Sequence, residues 1–157
     1  MSLRTFYPRA KRPGFTLIEL LLVIAIIAIL AAIVIIAINP ARQLAQANNA
    51  QRRSDVNTVL NAVGQYAVDN RGAYPTAITS VDGEICRTGV SVANCGGGVD
   101  LSALTDNELY LTAIPTDPTG SSATGTGYFI YVTTSTNPRI VVSAPSAELS
   151  VTINVSR

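Results

Sequence analysis

The residues that could do chemistry lie at the start of the chain. Lys11-Arg12-Pro13-Gly14-Phe15-Thr16-Leu17-Ile18-Glu19 leads into 19 uninterrupted apolar residues, Leu20 to Ile38. A run of that length can cross a bilayer as a helix. Glu19 sets a carboxylate at its edge, where an ionised group is costly unless it has a partner and a use. The rest of the chain offers little to an active site. It has no histidine, which removes the commonest general base and metal ligand. Serines and threonines abound without a base beside them. Gly96-Gly97-Gly98 lacks the Lys-Ser or Lys-Thr of a phosphate loop and reads as a flexible turn. No catalytic residue, cofactor or metal is assigned, and the chain is read as a non-enzyme.

A conventional secretory signal also begins basic and turns apolar, but its apolar part is short and ends at the cleavage site. Here the apolar run is longer and Gly14 precedes it. A plain single-pass anchor explains the length and leaves Gly14-Phe15 and Glu19 without a reason.

The Gly14-Phe15-Thr16-Leu17-x-Glu19 junction resembles the class III signal of type IV pilins and of type II secretion pseudopilins. The resemblance implies that a dedicated peptidase/methyltransferase cuts between Gly14 and Phe15 and methylates the new N-terminal Phe15. It further implies that Glu19 pairs with the Phe15 amine of a neighbouring subunit during filament assembly. It implies an assembly ATPase and a platform protein as partners. Residues 1–14 would be the leader, 15–38 a membrane-spanning and later filament-core helix, 39–72 an amphipathic helix, and 73–157 a globular head. Removing the leader takes Arg4, Arg9, Lys11 and Arg12 and no acid, moving the formal side-chain charge from +1 to −3. The leader's positive charge should stay cytoplasmic. The mildly acidic mature chain does not favour nucleic acid. Arg52 and Arg53 could touch DNA, but adjacent helical arginines are more often solvated or paired with a neighbouring subunit's acids.

The elements that must position this junction can be read in turn. Asn39-Pro40 predicts a kink, because proline lacks a backbone donor and biases its predecessor away from helix. The helix is expected to resume at Ala41. An amphipathic stripe then runs through Leu44, Ala47, Val56, Val59, Leu60, Val63, Tyr66 and Ala67, with Asn49, Arg52 and Asp55 on the polar side. Gly72 and Pro75 should end it. Tyr74-Pro75 and Ile114-Pro115-Thr116-Asp117-Pro118 also resemble pilin and pseudopilin segments.

Residues 76–120 read as loop-rich, with a short helix near Leu101–Leu111. In an exported protein the pair Cys86 and Cys95 is expected to form a disulfide. Metal binding by two cysteines without histidine is poorly supported, and redox chemistry would favour a closer pair. Asp117 and Glu148 do not make a calcium loop, and the first of them is read as part of a proline-braced turn. Strands are expected at Tyr128–Val132, at Arg139–Ser143, and at Leu149–Val155, where apolar and polar residues alternate. Short connections imply an antiparallel meander. The fold class is therefore α+β, a pilin fold whose long helix packs by its second half on a small C-terminal antiparallel sheet. The function the resemblance implies is that of a major type IV pilin, a homo-oligomeric filament subunit for adhesion, twitching motility or DNA uptake. It would be held in the cytoplasmic membrane before assembly and lie outside the cell afterwards. A major pseudopilin or a minor pilin is the alternative.

Overall fold

A computed structural model describes residues 14–157; the leader residues Arg4, Arg9, Lys11 and Arg12 lie outside the described residues. The chain divides into two compact units at Pro40.

The first unit holds helix α1, Leu17–Ile38, none of whose residues is buried. It ends at Asn39, which takes left-handed angles of φ 48° and ψ 78°. Asparagine is among the few side chains that tolerate this region. Helix restarts at once with α2, Pro40–Asp69. Pro40 therefore stands at the first helical position, one residue earlier than the expected restart, where its fixed φ suits the helix and its missing donor costs nothing.

The second unit, Ala41–Arg157, is the head. After α2 come strand β1, Gly83–Cys86, the short helix α3, Ser102–Thr105, and strands β2, Gly125–Val132, β3, Ile140–Ser143, and β4, Asn154–Ser156. The four strands form one antiparallel sheet in sequence order. Val56, Val59, Leu60 and Val63 of α2 pack into a core with Ile85, Tyr128, Ile130, Ile140, Val142 and Ile153. The expected meander is thus present with an additional strand, β1, in the segment read as loop. β1 pairs Gly83 with Ile130 and Glu84 with Phe129, then slips register before Cys86 meets Gly125.

Two other expectations change. The Leu149–Val155 alternation yields only the short β4, because Leu149 and Ser150 take φ of 60° and 55° and leave extended backbone. Leu149 is consequently exposed. On α2, Leu44 is exposed, and the buried positions below Val56 are Ala45, Asn49, Arg52 and Asp55. The lower end of the helix meets a polar network, so the apolar stripe points to the wrong positions there.

Cys86 and Cys95 are joined by a disulfide with Cα atoms 5.7 Å apart. Gly98 closes the loop beneath it. A side chain at Gly98 would collide with the Glu84 carbonyl and press on both sulfurs, so this glycine fills a packing role beyond that of a flexible turn. Reducing the bond, or Cys86→Ser with Cys95→Ser, should lower head stability by about 2–3 kcal/mol, the entropy of an untied ten-residue loop. Denaturant melts with and without reductant check this; coincident curves would contradict it.

Candidate functional site

The N-terminal junction is built by a helix start. Thr16 is the N-cap of α1, with extended angles of φ −79° and ψ 153°. Its backbone N–H donates to Glu19 Oε2 at 2.8 Å and its hydroxyl donates to the same oxygen at 2.7 Å. The Glu19 N–H donates back to Thr16 Oγ1 at 3.3 Å. This is a capping box, in which the first free donors of a helix are satisfied reciprocally. The carboxylate also sits at the positive end of the helix dipole. Glu19 is therefore not stranded within its own subunit. The sequence signal was legible, since Thr-x-x-Glu before an apolar run is a helix-start signature, yet attention to the charge alone overlooks Thr16.

Gly14 and Phe15 precede the helix in non-helical backbone, and Phe15 is 93% exposed. The bond between them stands clear of the fold, with no atom within 4 Å of a Cβ added at Gly14. Behind it, α1 spans about 33 Å at 1.5 Å per residue, enough for a hydrocarbon layer of about 30 Å. Residues 9–37 match the family of the prokaryotic N-terminal methylation motif. The chain carries the N-terminal signal of the type IV pilin and pseudopilin family. No curated protein and no solved structure matches the chain. The class III signal implies processing by the prepilin peptidase and entry into pilus-type machinery. It marks a structural protein of such machinery. It does not by itself choose between pilus and pseudopilus.

The pilin-like head contains a second polar site that the sequence reading placed on a solvent face. Arg52 is fully buried. Its Nε and Nη2 donate to Asp117 Oδ2 and Oδ1 at 2.7 and 3.0 Å. Nη1 donates to Asn49 Oδ1 at 3.0 Å and to Glu148 Oε1 at 3.2 Å. Nη2 also donates to Thr119 Oγ1. Asn49 then grips the backbone of residue 148 twice, donating to its carbonyl at 2.8 Å and accepting from its N–H at 2.9 Å. One guanidinium thus ties α2 to the segment before β2 and to the turn before β4. Burial pushes the Asp117 carboxyl up, but Arg52 and the Thr119 and Gly120 N–H groups outweigh it and hold the carboxyl below its ordinary range. Asn48 and Arg52 hold Glu148 low as well. The two carboxylates considered for calcium are engaged by Arg52.

Nearby, Tyr128 donates its hydroxyl to Asp55 Oδ2 at 2.6 Å. Burial and that carboxylate push the phenol strongly upward. Among the described residues no buried side-chain polar atom lacks a partner, and no group of three metal-ligating side chains occurs. Arg53, adjacent in sequence to Arg52, is exposed. The two arginines of the pair therefore have different roles.

Proposed function

We propose that this chain is the major subunit of a type IV pilus-class filament, cut between Gly14 and Phe15 and N-methylated on Phe15. One observation carries the reading furthest: the methylation-motif match at residues 9–37 covers the basic-to-apolar junction and nearly all of an apolar helix with no buried residue. Apolar surface of that extent is favourable only in lipid or against other apolar surface. The subunit waits in the cytoplasmic membrane and passes into a bundle of its own helices, so α1 never meets water. The disulfide-bearing head would face outward on the cell surface, where adhesion, twitching motility and DNA uptake are the roles such fibres serve.

In the filament core Glu19 pairs with the Phe15 ammonium of a neighbour, an attraction strengthened by low dielectric. The Thr16 capping box supports this reading by supplying Glu19 with local donors before assembly. The carboxylate can thus remain in the apolar segment until the amine replaces or joins them. Glu19→Ala subunits should be cleaved and membrane-inserted, while their yield of sheared filaments collapses. Normal filament yield from correctly cleaved Glu19→Ala chains would remove the register role. A secretion defect with no sheared fibres in the wild type would instead favour the pseudopilin reading.

A further inference from the structure

A cleft of about 600 Å³ opens along the C-terminal half of α2. It is lined by Asn61, Gly64, Gln65, Val68 and Asp69 of the helix and by Arg157, the residue after β4. Beside it lies a recess of about 170 Å³ that shares Gly64 and Arg157 and is otherwise walled by Leu60, Val63, Ala67, Tyr74 and Ile140. Neither space belongs to the N-terminal junction or to the Arg52 cluster.

Two opposite charges face the cleft without meeting. Arg157 donates through Nη1 to Asn61 Oδ1 at 2.9 Å, and its other guanidinium donors have no described side-chain or backbone partner. Asp69 accepts from the Tyr110 hydroxyl at Oδ2, 3.0 Å away, which leaves Oδ1 open. No ion pair joins Arg157 to Asp69 among the described residues. Arg71, the other cation at that end of the helix, does not line the cleft. Arg157 is anchored at Asn61, eight residues before Asp69, so the two charges bracket about 12 Å of helix. Between them Gln65 is exposed with no described partner for its amide, and Val68 is 80% exposed.

Gly64 sits midway, and the fold does not require a glycine there. A Cβ at this position meets only Arg157 Nη1, at 3.6 Å, an ordinary contact. Glycine weakens a helix interior relative to alanine. What the missing side chain does is keep the cleft and the apolar recess continuous.

These groups specify a ligand. A carboxylate suits the spare Arg157 donors and an ammonium suits Asp69. The Gln65 amide offers one donor and one acceptor side to a peptide group, and the recess holds one apolar side chain. An extended chain advances about 3.3–3.6 Å per residue, so three residues bring their two ends to the two charges. We propose that this cleft binds a short extended peptide, with its carboxylate on Arg157, its ammonium on Asp69 and its central apolar side chain in the recess beside Gly64. Polar contacts to the main chain give affinity in such recognition, and a pocket reads the side chain. The site goes beyond the filament reading and does not depend on it.

The test titrates the full ¹⁵N-labelled chain, dispersed in detergent micelles, with alanyl-leucyl-alanine bearing free ends. The amide NMR signals of Gly64 and Gln65 should shift saturably. The N-acetylated, C-amidated form of the peptide should bind at least about tenfold more weakly, and so should alanyl-glycyl-alanine, which leaves the recess empty. Arg157→Gln should weaken binding about tenfold with little change in melting. Gly64→Leu fills the recess and should abolish binding, while Gly64→Ala should melt at or above the wild type. No saturable shift with millimolar peptide would overturn the site. Equal binding of the blocked peptide, or undiminished binding to Arg157→Gln, would overturn the charge bridge. Undiminished binding to Gly64→Leu would overturn the recess. Self-association of the dispersed chain that Gly64→Leu abolishes would place a second copy in the cleft and overturn the peptide reading.

Discussion

A Gly14→Glu chain is expected to stay at full precursor mass in the membrane, with no subunit in the sheared fraction. The reason is separable from folding. Nothing lies within 4 Å of a Cβ added at Gly14, and its φ is not in the left-handed region, so the substitution disturbs no contact of the described chain. The loss must then arise in the peptidase, whose scissile bond needs close approach of the backbone at the residue before Phe15. Misplacement of a reacting bond by about 1 Å costs on the order of a hundredfold in rate, and a bulky charged side chain should exceed that. Melting of the head should be unchanged. Efficient cutting of Gly14→Glu would remove the class III reading of the junction.

Arg52→Ala is expected to have the largest effect on the head. It deletes the cation that both Asp117 oxygens, Glu148, Asn49 and Thr119 share. It leaves Asp117 buried with its charge uncompensated, a loss of about 3–5 kcal/mol when one partner of a buried pair is removed. A domain of this size has about 5–15 kcal/mol in all, so much of the head should be unfolded at growth temperature. The penalty belongs chiefly to the orphaned charge. Arg52→Met combined with Asp117→Leu should therefore be far more stable than Arg52→Ala, and equal melting of the two would refute that partition.

The same cluster sets the acid limit. Asp117 and Glu148 are held below their ordinary values in the fold. Their contribution is present above the unfolded carboxyl range, near pH 4, and is lost as pH falls through the lower folded values. Denaturant midpoints should be flat from about pH 6 to 8 and fall in acid, with a shallower fall when Asp117 is removed together with Arg52.

These expectations also mark where residue patterns could be read and where they could not. The junction was legible because four features coincide within a few residues: basic charge, Gly14-Phe15, Glu19 and an apolar run. Val56, Val59, Leu60 and Val63 were legible because apolar residues at helical spacing have one natural destination, and β2 and β3 because aromatic and branched residues cluster there. β1 was not. Gly83-Glu84-Ile85-Cys86 is four residues with a register slip, and its partner, β2, lies some forty residues further on. β4 was overextended because the Leu149–Val155 alternation carries no sign that Leu149 and Ser150 turn left-handed. Arg52 was misplaced for a different reason. Hydropathy assigns a charged side chain to water, and only the arrival of Asp117 and Glu148 from distant segments makes its burial affordable. The Thr16–Glu19 box is written in the sequence as Thr-x-x-Glu, but a carboxylate at the edge of an apolar run reads equally as a charge seeking a counter-ion in another subunit.

The central claim is that the chain is cut between Gly14 and Phe15 and assembled through the helix that follows. Intact-mass and N-terminal peptide mass spectrometry on material sheared from cells tests it most directly. The account predicts one dominant species beginning at methylated Phe15 and two hydrogens light for the Cys86–Cys95 bond. An intact leader, a cut at any other bond, or a protein confined to the membrane fraction would contradict it.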